Sequence, residues 1–168
     1  MQHVLTRLSI MIILVASVFT TGCMKSPHYQ KTYTLPNQAW DYDFQPSFQF
    51  QISDTAAHYK LYFIIRHTEA YPFSNIWLWV YTKEPGDTVE KKSRIEIPLA
   101  ETSGKWLGRG MGEIWEHRMP ITRDDQPMIF PKPGTYEIRF EQNMRMNPLP
   151  EILDVGLRVS KVGYPINK

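Results

Sequence analysis

The chain has 168 residues, with 19 Lys plus Arg against 17 Asp plus Glu and a formal net charge of +2. That near balance excludes the basic stripe a nucleic-acid-binding surface needs, and the length suits one domain with its own core. Cysteine occurs once, at Cys23, so no internal disulfide can form.

The opening residues, MQHVLTRLSIMIILVASVFTTGC, set the compartment. Arg7 is the only formally charged side chain before Cys23, and Leu8 to Phe19 is almost wholly apolar. This run is shorter than the roughly 20 residues of a membrane-spanning helix. A basic start, a short apolar core and small residues at the end make residues 1–22 a secretory signal peptide. Gly22-Cys23 resembles a bacterial lipobox, where the cysteine sulfur takes a diacylglycerol and becomes the mature N-terminus, although Thr20 stands where leucine is usual. Lipidation also removes a thiol that would be a liability in an oxidising compartment. Several acyl chains on one residue exceed the two-signal threshold for stable anchoring, so the expected first partner is a membrane, through Cys23. Losing Arg7 with the leader leaves 18 Lys plus Arg against 17 Asp plus Glu. Residues 23–34 form a lipidated N-terminus and polar tether that can end in an edge strand, and residues 35–168 a single domain.

Period-2 runs bounded by turn residues follow in order. Ser47 to Ile52 alternates Phe48, Phe50 and Ile52 against Gln49 and Gln51. Tyr59 to Arg66 places Tyr59, Leu61, Phe63 and Ile65 on one side, Tyr62 and Ile64 on the other. Ile76 to Thr82 is apolar on both faces: Ile76, Leu78, Val80 and, between them, Trp77, Trp79, Tyr81. Arg94 to Leu99 turns Ile95, Ile97 and Leu99 inward, with Pro98 marking a strand end or sheet edge. Glu113 to Ile121 sets Trp115, His117 and Met119 against Ile114, Glu116 and Arg118. Gly134 to Met144 follows the turn Pro131-Lys132-Pro133-Gly134, and Ile152 to Val162 is the last run. No segment holds a helical period, so the fold class is all-β: an antiparallel β-sandwich, jelly-roll or immunoglobulin-like, of about seven to nine strands.

Consecutive strands are neighbours by default, so Tyr59–Arg66 and Ile76–Thr82 are expected side by side, central in one sheet. Tyr62 and Ile64 would then share a face with Trp77, Trp79 and Tyr81. An exposed patch of that size is at the upper end for a soluble monomer. The expectation is that the chain covers it, with Leu35, Trp40 or Trp106 folding across.

Catalytic signals are weak. The chain has no Gly-x-Ser-x-Gly, no His-Glu-x-x-His and no phosphate loop. Asp41 with Asp43, and Asp124 with Asp125, fit solvated loops better than a carboxylate pair, because adjacency in sequence proves nothing about spatial pairing. No histidine has ligand spacing to another, and His117 fits a half-buried sheet position better than a metal site. No catalytic residue, metal or cofactor is expected, and the chain is expected not to be an enzyme. The glycine-rich segment Ser103–Glu116 fits a twisted hairpin with Trp106 plugging one end of the sandwich; the alternative is a loop in which Trp106 or Arg109 touches a partner.

In order along the chain, LPNQAW, FQFQISD, YPFSNIWLWV, GKWLGRGMGEIWE, PGTYEIRFEQNMR and DVGLRV resemble the gliding motility-associated GldH lipoprotein family of Bacteroidetes, over about Thr34 to Ser160. The resemblance implies an envelope lipoprotein needed for gliding where the species glides, and it brings no catalytic residues. Two roles stay open. One is an accessory component that binds other envelope proteins, with Trp77, Trp79, Tyr81, Trp106 and Arg109 as candidate contacts. The other is a glycan-binding module that stacks sugars on Trp77, Trp79 and Tyr81. Surface-exported lipoproteins of the phylum that the resemblance implies tend to carry acidic residues just after the cysteine; Met24-Lys25-Ser26-Pro27 carries none, and none occurs before Asp41, so the resemblance favours an outer-membrane anchor facing the periplasm. Replacing Cys23 by Ser is expected to abolish acyl labelling and release the protein from the membrane fraction; normal labelling of the variant contradicts the lipobox.

Overall fold

The computed structural model describes residues 28–122 and 128–162. Cys23 and the Asp124-Asp125 pair lie outside the described residues. Within them the strands are β1 (Tyr29–Thr34), β2 (Ala39–Trp40), β3 (Ser47–Ile52), β4 (His58–Thr68), β5 (Asn75–Lys83), β6 (Lys91–Pro98), β7 (Arg109–Met111), β8 (Ile114–Pro120), β9 (Met128–Ile129), β10 (Gly134–Gln142), β11 (Leu149–Pro150) and β12 (Ile152–Val162). Nine of these have three residues or more, and β2, β9 and β11 have two each. The fold is the all-β sandwich that the period-2 runs require. β1 joins the sheet along β12, ahead of the domain boundary drawn at Leu35.

One sheet runs β1-β12-β4-β8-β7, with β9 also pairing along β4. The second runs β3-β10-β5-β6, and β11 with β2 makes a small ribbon. Their inner faces are the alternating apolar sets. β4 turns in Tyr59, Leu61, Phe63 and Ile65; β12 adds Val155, Leu157 and Val159; β5 adds Ile76, Leu78 and Val80; β10 adds Tyr136, Ile138 and Phe140. Rings make the contact between layers. Phe63 of β4 meets Phe140 of β10 edge-on at 5.1 Å, and Trp40 stacks on Phe63 at 6.3 Å. Burying Trp40 leaves its indole N–H to satisfy, and it donates to the Phe44 carbonyl at 2.8 Å.

Close strand approach is visible at Gly156. A Cβ there would lie 2.6 Å from the Lys31 carbonyl oxygen of β1, so only glycine fits this crossing. On the outer face beside it, Asp154 is buried yet paired: Arg66 donates to it at 2.7 Å and the Thr34 hydroxyl at 2.7 Å.

Two expectations are corrected here. β4 and β5 are each central, but in different sheets: β4 between β12 and β8, β5 between β10 and β6. The loop joining them crosses from one layer to the other, so Tyr62 and Ile64 do not share a face with Trp77, Trp79 and Tyr81. Nor does the chain cover that face with Leu35, Trp40 or Trp106. Leu35 and Trp40 are buried in the core, and Trp106 packs against His67 and Tyr71. Pattern alone does not fix which neighbour a two-sided strand takes, because either layer can bury its apolar set. Phe63→Ala is expected to cost about 3–5 kcal/mol, whereas the half-buried Trp79→Ala costs about 1–2 kcal/mol through partial burial and one lost cation contact; urea unfolding midpoints of the full-length protein rank the two.

Candidate functional site

The outer face of the second sheet carries the two-sided strand's aromatic set. Trp77, Trp79 and Tyr81 project from β5 and are half-buried. Their register partners on β6 are Glu96, Arg94 and Lys92; on β10, Glu141 stands opposite Trp79 and Arg139 opposite Tyr81. Cross-strand and diagonal neighbours on one face are within reach of long side chains. Arg94 lies 4.1 Å over the Trp77 ring, Lys92 lies 4.2 Å over Trp79 and 4.9 Å over Tyr81, and Arg139 lies 3.8 Å over Tyr81. Each contact sets a cation against the negative face of a ring, worth about 0.5–1 kcal/mol when exposed. The charged heads of Lys92, Arg94 and Arg139 themselves cover the outward ring faces.

Hydrogen bonds pin this layer. Tyr81 donates to Glu141 at 2.5 Å, Arg94 Nε donates to Asn143 at 2.8 Å, and Asn75 donates to Glu96 at 2.5 Å. Arg139 is held further by Glu90 and Gln45. Among the described residues, Lys92 and Arg94 have no carboxylate at ion-pair distance. The face is therefore aromatic, with Lys92 and Arg94 as its two cations not engaged by a carboxylate among the described residues. Stacking a sugar on these rings would require displacing the cations already seated on them.

Lys92, Arg94 and Arg139 do not stand out in the sequence. Their signal was present in Lys92-x-Arg94-x-Glu96 on the wet side of an alternating run, but which rings they meet depends on strand order. Of the candidate contact residues, Trp77, Trp79 and Tyr81 are brought together, while Trp106 and Arg109 are not. Arg109 is exposed on β7, opposite Glu116, in the other sheet.

Trp106 instead closes a buried histidine pair. His67 and His117, diagonal neighbours on β4 and β8 whose register partners are Trp115 and Ile65, are fully buried, with Nε2 atoms 2.9 Å apart and rings stacked at 4.8 Å. The Trp106 ring meets His67 at 4.5 Å and the Tyr71 ring meets it at 5.0 Å. Gly108 packs onto the His117 ring, where a Cβ would stand 2.9 Å from it. His67 Nδ1 lies 2.7 Å from the Thr68 carbonyl, an acceptor, so Nδ1 carries the proton. His67 Nε2 must then accept, and His117 Nε2–H donates to it. His117 Nδ1 is left buried as a bare acceptor without a partner among the described residues. Among those residues no three His, Cys, Asp or Glu side chains gather for a metal. His117 is a core histidine, more deeply buried than the half-buried position expected for it.

Burial pushes both imidazoles below their ordinary range. His117 falls to about 4, with burial the larger cause and repulsion from His67 the smaller; His67 is lowered by burial against a weaker opposing bond to Thr68. In the unfolded chain these groups protonate near pH 6.5. The unfolded state therefore binds more protons between about pH 6.5 and 4, and stability present above pH 6.5 is lost as pH falls through that window. Between pH 7 and 5 the His117 share is on the order of 2 kcal/mol, and His117→Leu is expected to flatten the dependence of the urea midpoint on pH in that range. An unchanged slope contradicts the neutral-pair assignment.

A sandwich domain behind an export leader that ends at a Gly-Cys junction defines a class: a lipid-anchored protein of the bacterial envelope. The particular family is shown by comparison. The family model described as GldH lipoprotein matches residues 27–159, and the chain belongs to this family. It is 26% identical over 160 residues to the gliding motility lipoprotein GldH homolog of Christiangramia forsetii, covering 91% of this chain and 95% of the relative. It is 26% identical over 157 residues to the gliding motility lipoprotein GldH of Flavobacterium johnsoniae, covering 89% and 94%. Among solved structures, the VP2 subviral particle of infectious bursal disease virus aligns at 12% identity and a TM-score of 0.31, covering 83% of this chain and 34% of the viral one.

Proposed function

We propose that this GldH-family lipoprotein is a non-catalytic accessory component of gliding motility or associated envelope machinery, and that it works by holding another envelope protein against the β5–β6–β10 face. The observation that carries the proposal is the row Trp77–Arg94, Trp79–Lys92 and Tyr81–Arg139, rings and cations seated on each other. Aromatic residues and arginine are the types enriched at the centres of protein interfaces. Pre-seated side chains lose less freedom on binding than free ones. The lipid on Cys23 keeps this face near the membrane, and the acid-free stretch after it supports an outer-membrane anchor facing the periplasm. The glycan reading lacks the open ring faces it needs.

The experiment is site-specific cross-linking in cells. A photo-reactive amino acid at Trp79 is expected to give a discrete protein adduct, while the same group at Tyr62, on the outer face of the other sheet, gives none. Equal adducts at both positions, or none at either, overturn the assignment. Protease added to intact cells is expected to leave the protein uncut, and cleavage overturns the periplasmic orientation.

A further inference from the structure

β6 ends its sheet: β5 pairs with one side, and no described strand pairs with the other. The ladder fixes which backbone groups face the open side. The Leu99 N–H donates to the Ser74 carbonyl, toward β5. In an antiparallel strand alternate residues point N–H and C=O the same way, so Ile97, Ile95 and Ser93 bond to β5. The N–H and C=O groups of Lys92, Arg94 and Glu96 therefore point outward. The phase agrees on β5, where the Trp77 carbonyl accepts from Asn143 on the opposite side. Beyond Pro98 the edge is occupied, because the Leu107 N–H donates to the Leu99 carbonyl. The open stretch is Lys92 to Ile97.

Its two faces differ in chemistry. On the outer face, Lys92 and Arg94 lie over Trp79 and Trp77 with no carboxylate at ion-pair distance among the described residues. On the inner face, Ser93 and Ile95 border a cavity of about 130 Å³ between the sheets, lined also by Val80, Ile121, Met128 and Ile138. We propose that this edge accepts an extended segment of a partner envelope protein as an added strand, with acidic residues toward Lys92 and Arg94 and alternating apolar residues toward the cavity beside Ser93 and Ile95. The proposal rests on the interaction reading above and specifies the partner's chemistry. Main-chain bonds would supply affinity and the alternating side chains specificity. Cations on a free edge repel a basic strand and discourage a neutral one, so here they select for acid. The rings beneath hold both cations in place before the partner arrives.

Calorimetric titration of the full lipidated chain in detergent micelles tests this, with a short peptide of alternating Glu and Val as the probe. Saturable binding is expected, weakened about tenfold or more when Lys replaces Glu in the peptide. Glu96→Pro removes one outward N–H together with the one opposing charge on the stretch, and proline is tolerated where an edge N–H faces solvent. It is expected to weaken binding about tenfold or more, while Glu96→Gln, which removes the charge alone, binds as tightly or tighter. If circular dichroism finds Glu96→Pro unfolded, N-methylation of alternate peptide amides asks the same question of the unchanged protein, and weakening is again expected. No saturation by about 1 mM, equal binding of the Lys–Val peptide, or binding indifferent to both Glu96→Pro and N-methylation overturns the proposal. Cross-linking at Trp79 that persists alongside a failed peptide titration removes the edge site and leaves the accessory reading standing. Peptide binding without cross-linking does the reverse.

Discussion

Rings meeting across the gap between two sheets hold this protein together. Phe63 and Phe140 touch edge-on across the gap, Trp40 stacks on Phe63, and within the second sheet Phe48 packs on Phe140 at 5.4 Å. Each ring buries a large apolar area in an orientation its quadrupole favours. A small domain with no disulfide has little else to rely on, and every inward set on β3, β4, β5, β10 and β12 is committed to this one layer. The conformations outside it follow from that commitment. Gly156 lets β1 close on β12, and Asp154 is tolerated buried on the outer face because Arg66 and Thr34 satisfy it.

The cost of a strand apolar on both faces falls on β5. One set of its side chains belongs to the core, and the other would leave two indoles and a phenol in water. The sheet resolves this with its own neighbours. Lys92 and Arg94 from β6 and Arg139 from β10 set their charged heads over the rings, so the aromatic faces are covered by cations they attract. Such a surface is soluble alone and also prepared for a partner, because the order needed at an interface is already present. The same cations sit beside the open edge of β6, which joins the face and the edge into one continuous region.

At the other end of the sandwich, Trp106 and Gly108 close over His67 and His117. Two imidazoles in an apolar setting stay neutral and bond to each other, and His117 Nδ1 has no partner among the described residues. The pair adds the acid sensitivity of groups whose charging is resisted by burial.

Much of the architecture was legible in the residues. Alternation in Ser47–Ile52, Tyr59–Arg66 and Gly134–Met144 names the strands and their inner sets, since a period of two has only two faces to assign. The leader and the Gly22-Cys23 junction are local chemistry, readable without a fold. The family was legible too, from short motifs kept in order. What only the tertiary structure decided is which strands are neighbours. Sequence nearness favoured β4 beside β5, yet each lies central in its own sheet, because the core needs an apolar set from both layers and the loop between them can span the gap. From that one choice follow the partners of Trp77, Trp79 and Tyr81, the meeting of His67 with His117 fifty positions apart, and the free edge of β6. Strand order is set by long-range packing, and no local spacing encodes it.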